Sequence, residues 1–156
     1  MKEFLLAVCL LLATSAISAQ SSLPKGLNVN GVALGAKYDE VVKKLNKPTR
    51  DVTAKKIDEC IGANIRTLFY PGLKLELADG EVFAFEITSG SWNVSGVKIG
   101  DTSTQVQKLF GTRGRTVEKT PTLAWYYDMS EDSPGSSNFF FREGKVYKIS
   151  STFEMC

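Results

Sequence analysis

The sequence predicts an α+β protein: two tandem helix-plus-antiparallel-β-meander repeats forming one pseudo-symmetric domain. Three observations predict it. Residues 28–46 recur without a gap at 93–111, with Asn28, Val29, Gly31, Val32, Gly35, Val41 and Lys43 returning as Asn93, Val94, Gly96, Val97, Gly100, Val106 and Lys108. A repeat at fixed spacing is a statement about architecture. Behind each repeated glycine, apolar residues fall on one helix face: Tyr38, Val41, Val42 and Leu45 in the first copy, Val106, Leu109 and Phe110 in the second. After each helix a turn signal returns between strand-like runs, Asp79-Gly80 and then Glu143-Gly144.

In chain order, residues 1–19 read as a secretory signal. Lys2 supplies the positive end, Phe4 to Ala13 the apolar core, and Ile17-Ser18-Ala19 a cleavage site before Gln20. The apolar run is shorter than the roughly 20 residues a membrane span needs. Residues 20–156 then form a single α+β domain, with repeat one at about 27–89 and repeat two at about 91–153. Gly35 and Gly100 serve a tight turn into each helix. A phosphate loop is the sharper reading, but neither Gly-Lys-Ser/Thr nor Gly-x-Gly-x-x-Gly follows.

The second helix opens on the capping box Thr102-x-x-Gln105 and closes on Gly111. The first has Lys37 where Thr102 stands and ends before Pro48. Extended segments follow the first helix: Thr49 to Ile57 as an edge, Ile65 to Tyr70, Leu73 to Leu77, and Val82 to Thr88. Leu73-Lys74-Leu75-Glu76-Leu77 alternates as a sheet with one wet face should. Arg115 to Lys119, Leu123 to Asp128, Asn138 to Arg142 and Lys145 to Phe153 repeat the set. Neither copy has enough apolar surface alone, so the two sheets join or abut.

The pattern hydrophobic-x-hydrophobic-Gly, a capping residue, then Val-x-x-x-(Leu/Phe) resembles the β-lactamase-inhibitor-protein and outer-membrane small lipoprotein superfamily (SmpA/OmlA/BamE-like domains). The residues that carry it are Val32 to Gly35 with Val41 and Leu45, and Val97 to Gly100 with Val106 and Phe110. Ala36 and Asp101 stand where the family often has methionine. The resemblance implies a helix paired with an antiparallel sheet, twice in tandem as in the inhibitor proteins. It also implies binding of another protein, as an inhibitor or an envelope-assembly accessory.

Lys and Arg number 19 against 17 Asp and Glu, a net charge of +2. Removing Lys2 and Glu3 leaves that balance unchanged, and it gives no electrostatic case for nucleic acid or an anionic membrane. There is no histidine. Ser/His and Cys/His nucleophile pairs and histidine-ligated zinc are thereby excluded. No cofactor or metal is expected. The acidic pairs Asp39-Glu40, Asp58-Glu59 and Glu131-Asp132 are adjacent residues, whereas a two-carboxylate hydrolase holds its groups apart across a cleft. No catalytic residue is assigned, and the chain is not expected to be an enzyme. Beyond the signal two cysteines remain, Cys60 and Cys156. An even pair in an exported chain favours a disulfide, closing a loop of about 100 residues worth roughly 4–5 kcal/mol.

The candidate binding residues are aromatic. Trp125-Tyr126-Tyr127 and Phe139-Phe140-Phe141 are triplets within strand candidates, so each sends aromatics to both faces of a sheet. The face without helices then displays Tyr126 or its neighbours Trp125 and Tyr127, and Phe140 or its neighbours, with Tyr147 or Lys148, and the expected contact residues come from this set. The alternative is that both faces are core. Met129 to Ser137 is long for a hairpin connection. It carries Glu131 and Asp132, and reads as a surface insertion or as a recognition loop beside the aromatics. The expected function is a periplasmic or extracellular protein-binding module whose partner is another envelope or secreted protein. A small-molecule or lipid carrier with an aromatic sheet face is the alternative.

Overall fold

The computed structural model describes residues 27–111, 115–119, 122–128 and 135–153. The first two strands, β1 (Asn28–Val29) and β2 (Val32–Ala33), pair antiparallel across Asn30-Gly31. Both turn residues have positive φ, 47° and 86°, the conformation for which hairpin turns select Asn-Gly. The Gly31 amide donates to Asn28 Oδ1 at 3.0 Å. The same device recurs in the second half. Val94 and Val97 bridge antiparallel across Ser95-Gly96, and the Gly96 amide donates to Asn93 Oδ1 at 2.8 Å. The two turns also bond to each other. Val29 bridges Val94, the Asn30 amide donates to the Asn93 carbonyl, and the Ser95 amide donates to the Asn28 carbonyl, both at 3.0 Å. Val29, Val32, Val94 and Val97 are all buried beneath.

Helices α1 (Tyr38–Leu45) and α2 (Ser103–Phe110) follow the two turns. Gly35 and Gly100, at φ 82° and 97°, turn the chain into them. Each amide is committed to a strand carbonyl at 2.7 Å, Gly35 to Val82 and Gly100 to Val146, so the structural role expected for these glycines is the one seen. Matching bonds tie each helix start to a later hairpin. Tyr38 donates to the Gly80 carbonyl at 3.0 Å and Ser103 to the Gly144 carbonyl at 3.2 Å. α2 has its capping box: the Gln105 amide donates to Thr102 Oγ1, and the Thr102 amide donates to Gln105 Oε1. Lys37 gives α1 no side-chain cap. α1 closes at Asn46, φ 67°, two residues before Pro48. α1 buries Val41 and Leu45, and α2 buries Val106 and Phe110. Leu109, expected on the buried face, is 51% exposed. Positions 106 and 110 face the sheet, and a residue 300° around the helix from the first of them turns away.

Four strands follow each helix. After α1 come β3 (Arg50–Thr53), β4 (Arg66–Tyr70), β5 (Leu73–Ala78) and β6 (Glu81–Ile87). After α2 come β7 (Arg115–Lys119), β8 (Thr122–Asp128), β9 (Gly135–Arg142) and β10 (Lys145–Phe153). They form one eight-stranded antiparallel sheet in the order β3-β4-β5-β6-β10-β9-β8-β7. Each half is a meander, and the halves join through their last strands, with Ile149 opposite Ile87. Both helices contribute to a core cluster on one face, which runs from Leu68, Leu75 and Phe85 across to Phe139, Phe141 and Ile149.

The connection expected at Met129 to Ser137 is shorter than the sequence suggested. Gly135, Ser136 and Ser137 already pair with Phe153, Thr152 and Ser151. The two serines sit in the ladder with their hydroxyls partnered: Ser137 Oγ and Ser151 Oγ lie 2.8 Å apart in the core, and Ser136 Oγ accepts from Asn138 Nδ2 at 3.2 Å. Residues 129–134, with Glu131 and Asp132, lie outside the described residues.

The unequal caps lead to paired expectations. Thr102→Ala should cost about 1 kcal/mol. Lys37→Thr should gain about 0.5–1 kcal/mol, because Glu40 already stands where the reciprocal capping residue belongs. Urea midpoints measure both. A neutral Lys37→Thr would mean that Glu40 stays committed to Lys44, its partner at 2.7 Å.

Candidate functional site

Strand alternation sorts the aromatic triplets. Phe139 and Phe141 pair with Ile149 and Val146 and are buried on the helix side. Phe140 lies between them, opposite Lys148 and Ala124, on the face without helices. It is half-buried there. A register shift between Val146 and Lys148 inserts Tyr147 as an extra residue in β10. Such a bulge redirects a side chain, and the Tyr147 ring lies 6.3 Å from the Phe140 ring, edge-on. Two cations cover the pair. Lys148 Nζ is 4.3 Å from the Phe140 centroid, and the Arg142 guanidinium is 4.7 Å from that of Tyr147. Lys148 also reaches Glu86 at 3.5 Å. The result is a compact aromatic and cationic patch spanning β9, β10 and β6.

Trp125 does not belong to it. Its register partner is Phe139, it is buried, at 5% exposure, and its ring packs 4.6 Å from Phe141. The expectation that Trp125 contacts a partner is therefore corrected: period-two alternation sends it into the core beside Phe139 and Phe141. Tyr126 pairs with Asn138 and Tyr127 with Ser137; their side chains lie outside the described residues, as does Cys156. Cys60 sits exposed in the connection between β3 and β4.

The rest of the helix-free face is charged and internally paired. Lys74 and Glu76 are 3.3 Å apart, and the Arg50 guanidinium lies 3.9 Å over the Phe69 ring. Two of the acidic pairs have local roles. Glu40 holds Lys44 one turn along α1, and Asp58 Oδ1 accepts the Cys60 and Ile61 amides at 3.0 and 3.1 Å. A shallow cleft of about 290 Å³ at the start of α1 is lined by Lys37, Tyr38, Asp39, Asp79, Gly80 and Glu81. Among the described residues no cluster has the composition of a metal site. Among them, too, no helix is long and apolar enough to cross a membrane.

Sequence reasoning missed one cluster. Arg66 donates twice to Asp51, at 2.9 and 2.7 Å, and the Tyr38 hydroxyl donates to the same carboxylate at 3.2 Å. The guanidinium also lies 3.6 Å from the Tyr38 ring centroid. No spacing in the chain announces three residues from a helix and two strands. Each group is already engaged by the others, so the cluster clamps edge strand β3 to α1 and leaves no reactive group. The Arg66 hydrogen bonds hold the Asp51 carboxyl below its ordinary value, with desolvation opposing and the Arg66 charge and Tyr38 assisting. A depressed carboxylate adds stability above its unfolded pKa and loses it as pH falls through the folded value. The pair is about a third exposed, so solvent screening keeps the effect small. Asp51→Asn should therefore lower stability slightly at pH 7 and hardly change it at pH 3, which flattens the acid limb below about pH 4 by that same small amount. Urea midpoints at pH 3 and pH 7 measure both.

No family profile matches the chain, and no curated protein matches it. Solved structures do. An extracellular protein containing a SCP domain from Bacillus anthracis str. Ames aligns with a TM-score of 0.50 at 11% identity, over 76% of this chain and 43% of that one. This chain thus spans less than half of that protein's length. A DUF4309 family protein from Bacillus subtilis gives 0.43 at 12% identity, over 76% and 79% of the two chains. A Streptococcus mutans protein provisionally named as a beta-lactamase inhibitor gives 0.35 at 10% identity, over 79% and 86%. The first likeness is one of fold alone, and the other two are too distant to carry an argument about this chain.

Proposed function

We propose that this chain is an exported, non-catalytic protein-binding module that holds a partner protein on the sheet face opposite its helices. The observation that carries this reading is the patch of Phe140, Tyr147, Lys148 and Arg142. Two half-buried rings with cations stacked on them give a rigid, amphipathic surface, and aromatic and arginine side chains are the types that dominate protein–protein binding energy. Tyr126 and residues 129–134, with Glu131 and Asp132, border the same strands in sequence. The carrier reading gains no support from the cleft beside Lys37, which is shallow and mostly ionic. Asp58 and Glu40 are occupied in a turn and an ion pair, which suits a non-catalytic role.

The same proposal includes a tandem duplication of one helix-plus-meander unit, as in the inhibitor-protein superfamily. Its support is the set of paired bonds: Gly35 with Gly100, Tyr38 with Ser103, and Gly31 with Gly96 make equivalent contacts in each half. Export rests on the apolar leader at residues 1–19 and on cysteine chemistry. Cys60 and Cys156 are the proposed disulfide pair. Thiol titration of denatured, unreduced protein should find no free sulfhydryl in the chain beginning at Gln20; two free thiols would refute the pairing.

A photo-crosslinking amino acid at Tyr147 tests the binding face. It should capture one envelope or secreted protein in cells, while the same group at Lys43, exposed on α1, should not. Arg142→Glu with Lys148→Glu should abolish capture while the protein stays folded by circular dichroism, with a melting temperature lowered by the lost Lys148–Glu86 pair. Equal capture from both positions, or capture that survives the double reversal, would sink the assignment.

A further inference from the structure

We propose that Lys55-Lys56-Ile57 is a recognition segment for a serine protease of trypsin-like specificity. Every residue from 49 to 60 is exposed, and within that run residues 55–57 lie between a bonded strand and a bonded turn. The Ala54 amide donates to the Ile65 carbonyl at 2.8 Å, extending the β3–β4 ladder by one bond. Beyond the segment, Asp58 closes a compact turn. Its amide donates to the Ala63 carbonyl at 2.9 Å, the Gly62 amide donates to the Asp58 carbonyl at 2.7 Å, and its carboxylate takes the Cys60 and Ile61 amides. Residues 55–57 bridge these two anchors.

Among the described residues, no hydrogen bond or ion pair engages the side chain or backbone of the three bridging residues. Ile57, which burial would favour, is 62% exposed. An exposed basic loop is ordinarily just solvated. This one is set apart because its unbonded span is short, lies between two fixed ends, and carries an apolar residue directly after two lysines. A trypsin-like site needs a lysine for the carboxylate at the base of its specificity pocket, and backbone amides and carbonyls free to pair with the enzyme, and this span supplies both. In cleavage, water adds across the Lys56–Ile57 peptide bond, leaving a carboxylate on Lys56 and an amine on Ile57. The ladder bond at Ala54 and the turn at Asp58 hold both new ends, so opening the bond releases neither half. The segment shares no residue with the aromatic patch, and either assignment can fail without the other.

Trypsin itself is the probe. The folded protein is incubated with a small amount of trypsin, intact masses are followed over time, and residual trypsin activity is read on a small chromogenic substrate. The first cut should fall after Lys55 or Lys56, or the protein should inhibit trypsin with the bond intact. Lys55→Gln with Lys56→Gln should slow that cut, or weaken that inhibition, by about 30-fold or more, and Lys56→Arg in that background should restore it. Both lysines are exposed, and circular dichroism checks that the variants fold. A first cut elsewhere in the folded chain overturns the proposal, as does neither cutting nor inhibition. Cutting of the glutamine variant at the original rate overturns it too.

Discussion

The whole molecule hangs on a contact between two small turns. Asn30-Gly31 and Ser95-Gly96 carry their chains through positive φ, and each turn then donates an amide to the strand before the other. Four valines pack beneath them with almost no exposed surface. From this knot each chain runs through a single glycine into a helix, and each glycine amide is spent on a strand carbonyl. The helix starts are fixed against the hairpins at Gly80 and Gly144. Those hairpins lead into β6 and β10, the two strands that join the halves. Position is passed along by backbone bonds, which are short-ranged and directional, so little freedom remains between the first turn and the middle of the sheet.

Once the sheet is placed, period-two alternation decides what each aromatic does. Three consecutive phenylalanines cannot share a face. Phe139 and Phe141 anchor the helices' side, and Phe140 is left for the other. The bulge at Tyr147 then breaks the alternation locally and brings a second ring to Phe140. A regular strand would carry Tyr147 on the side of Phe139. The patch thus comes from one extra residue in β10, and β6 has a register shift at the matching place, between Glu76 and Leu77 on the β5 side.

Much of this was legible in the chain. The repeat, the glycine turns, the capping box at Thr102 and the meander after each helix all follow from local chemistry, in which a residue's conformational preference acts within a few positions. The features that were not legible depend on register or on distant partners. Trp125 and Phe140 look alike in sequence, and only pairing with β9 and β10 separates core from surface. Gly135 to Ser137 have turn propensities that lose to a ladder made available by β10. Leu109 satisfies a helical pattern, yet it lies on the margin of the buried stripe. The Tyr38, Asp51 and Arg66 cluster joins a helix and two strands, and no window of sequence contains it.

The order of strands has one more consequence. In each half the meander begins at the rim of the sheet, with β3 or β7, and finishes in its middle, with β6 or β10. Chain order and spatial order therefore run opposite ways in the second half: its earliest strand is a rim, and its latest, residues 145–153, is the seam. A chain emerging in sequence order, from a ribosome or through a membrane channel, can lay down both rims and still have nothing to join them. Ile149 and Val146 reach the core cluster only when this final strand arrives. Shortening the chain from that end would split the sheet at its centre, where shortening most sheets would trim an edge.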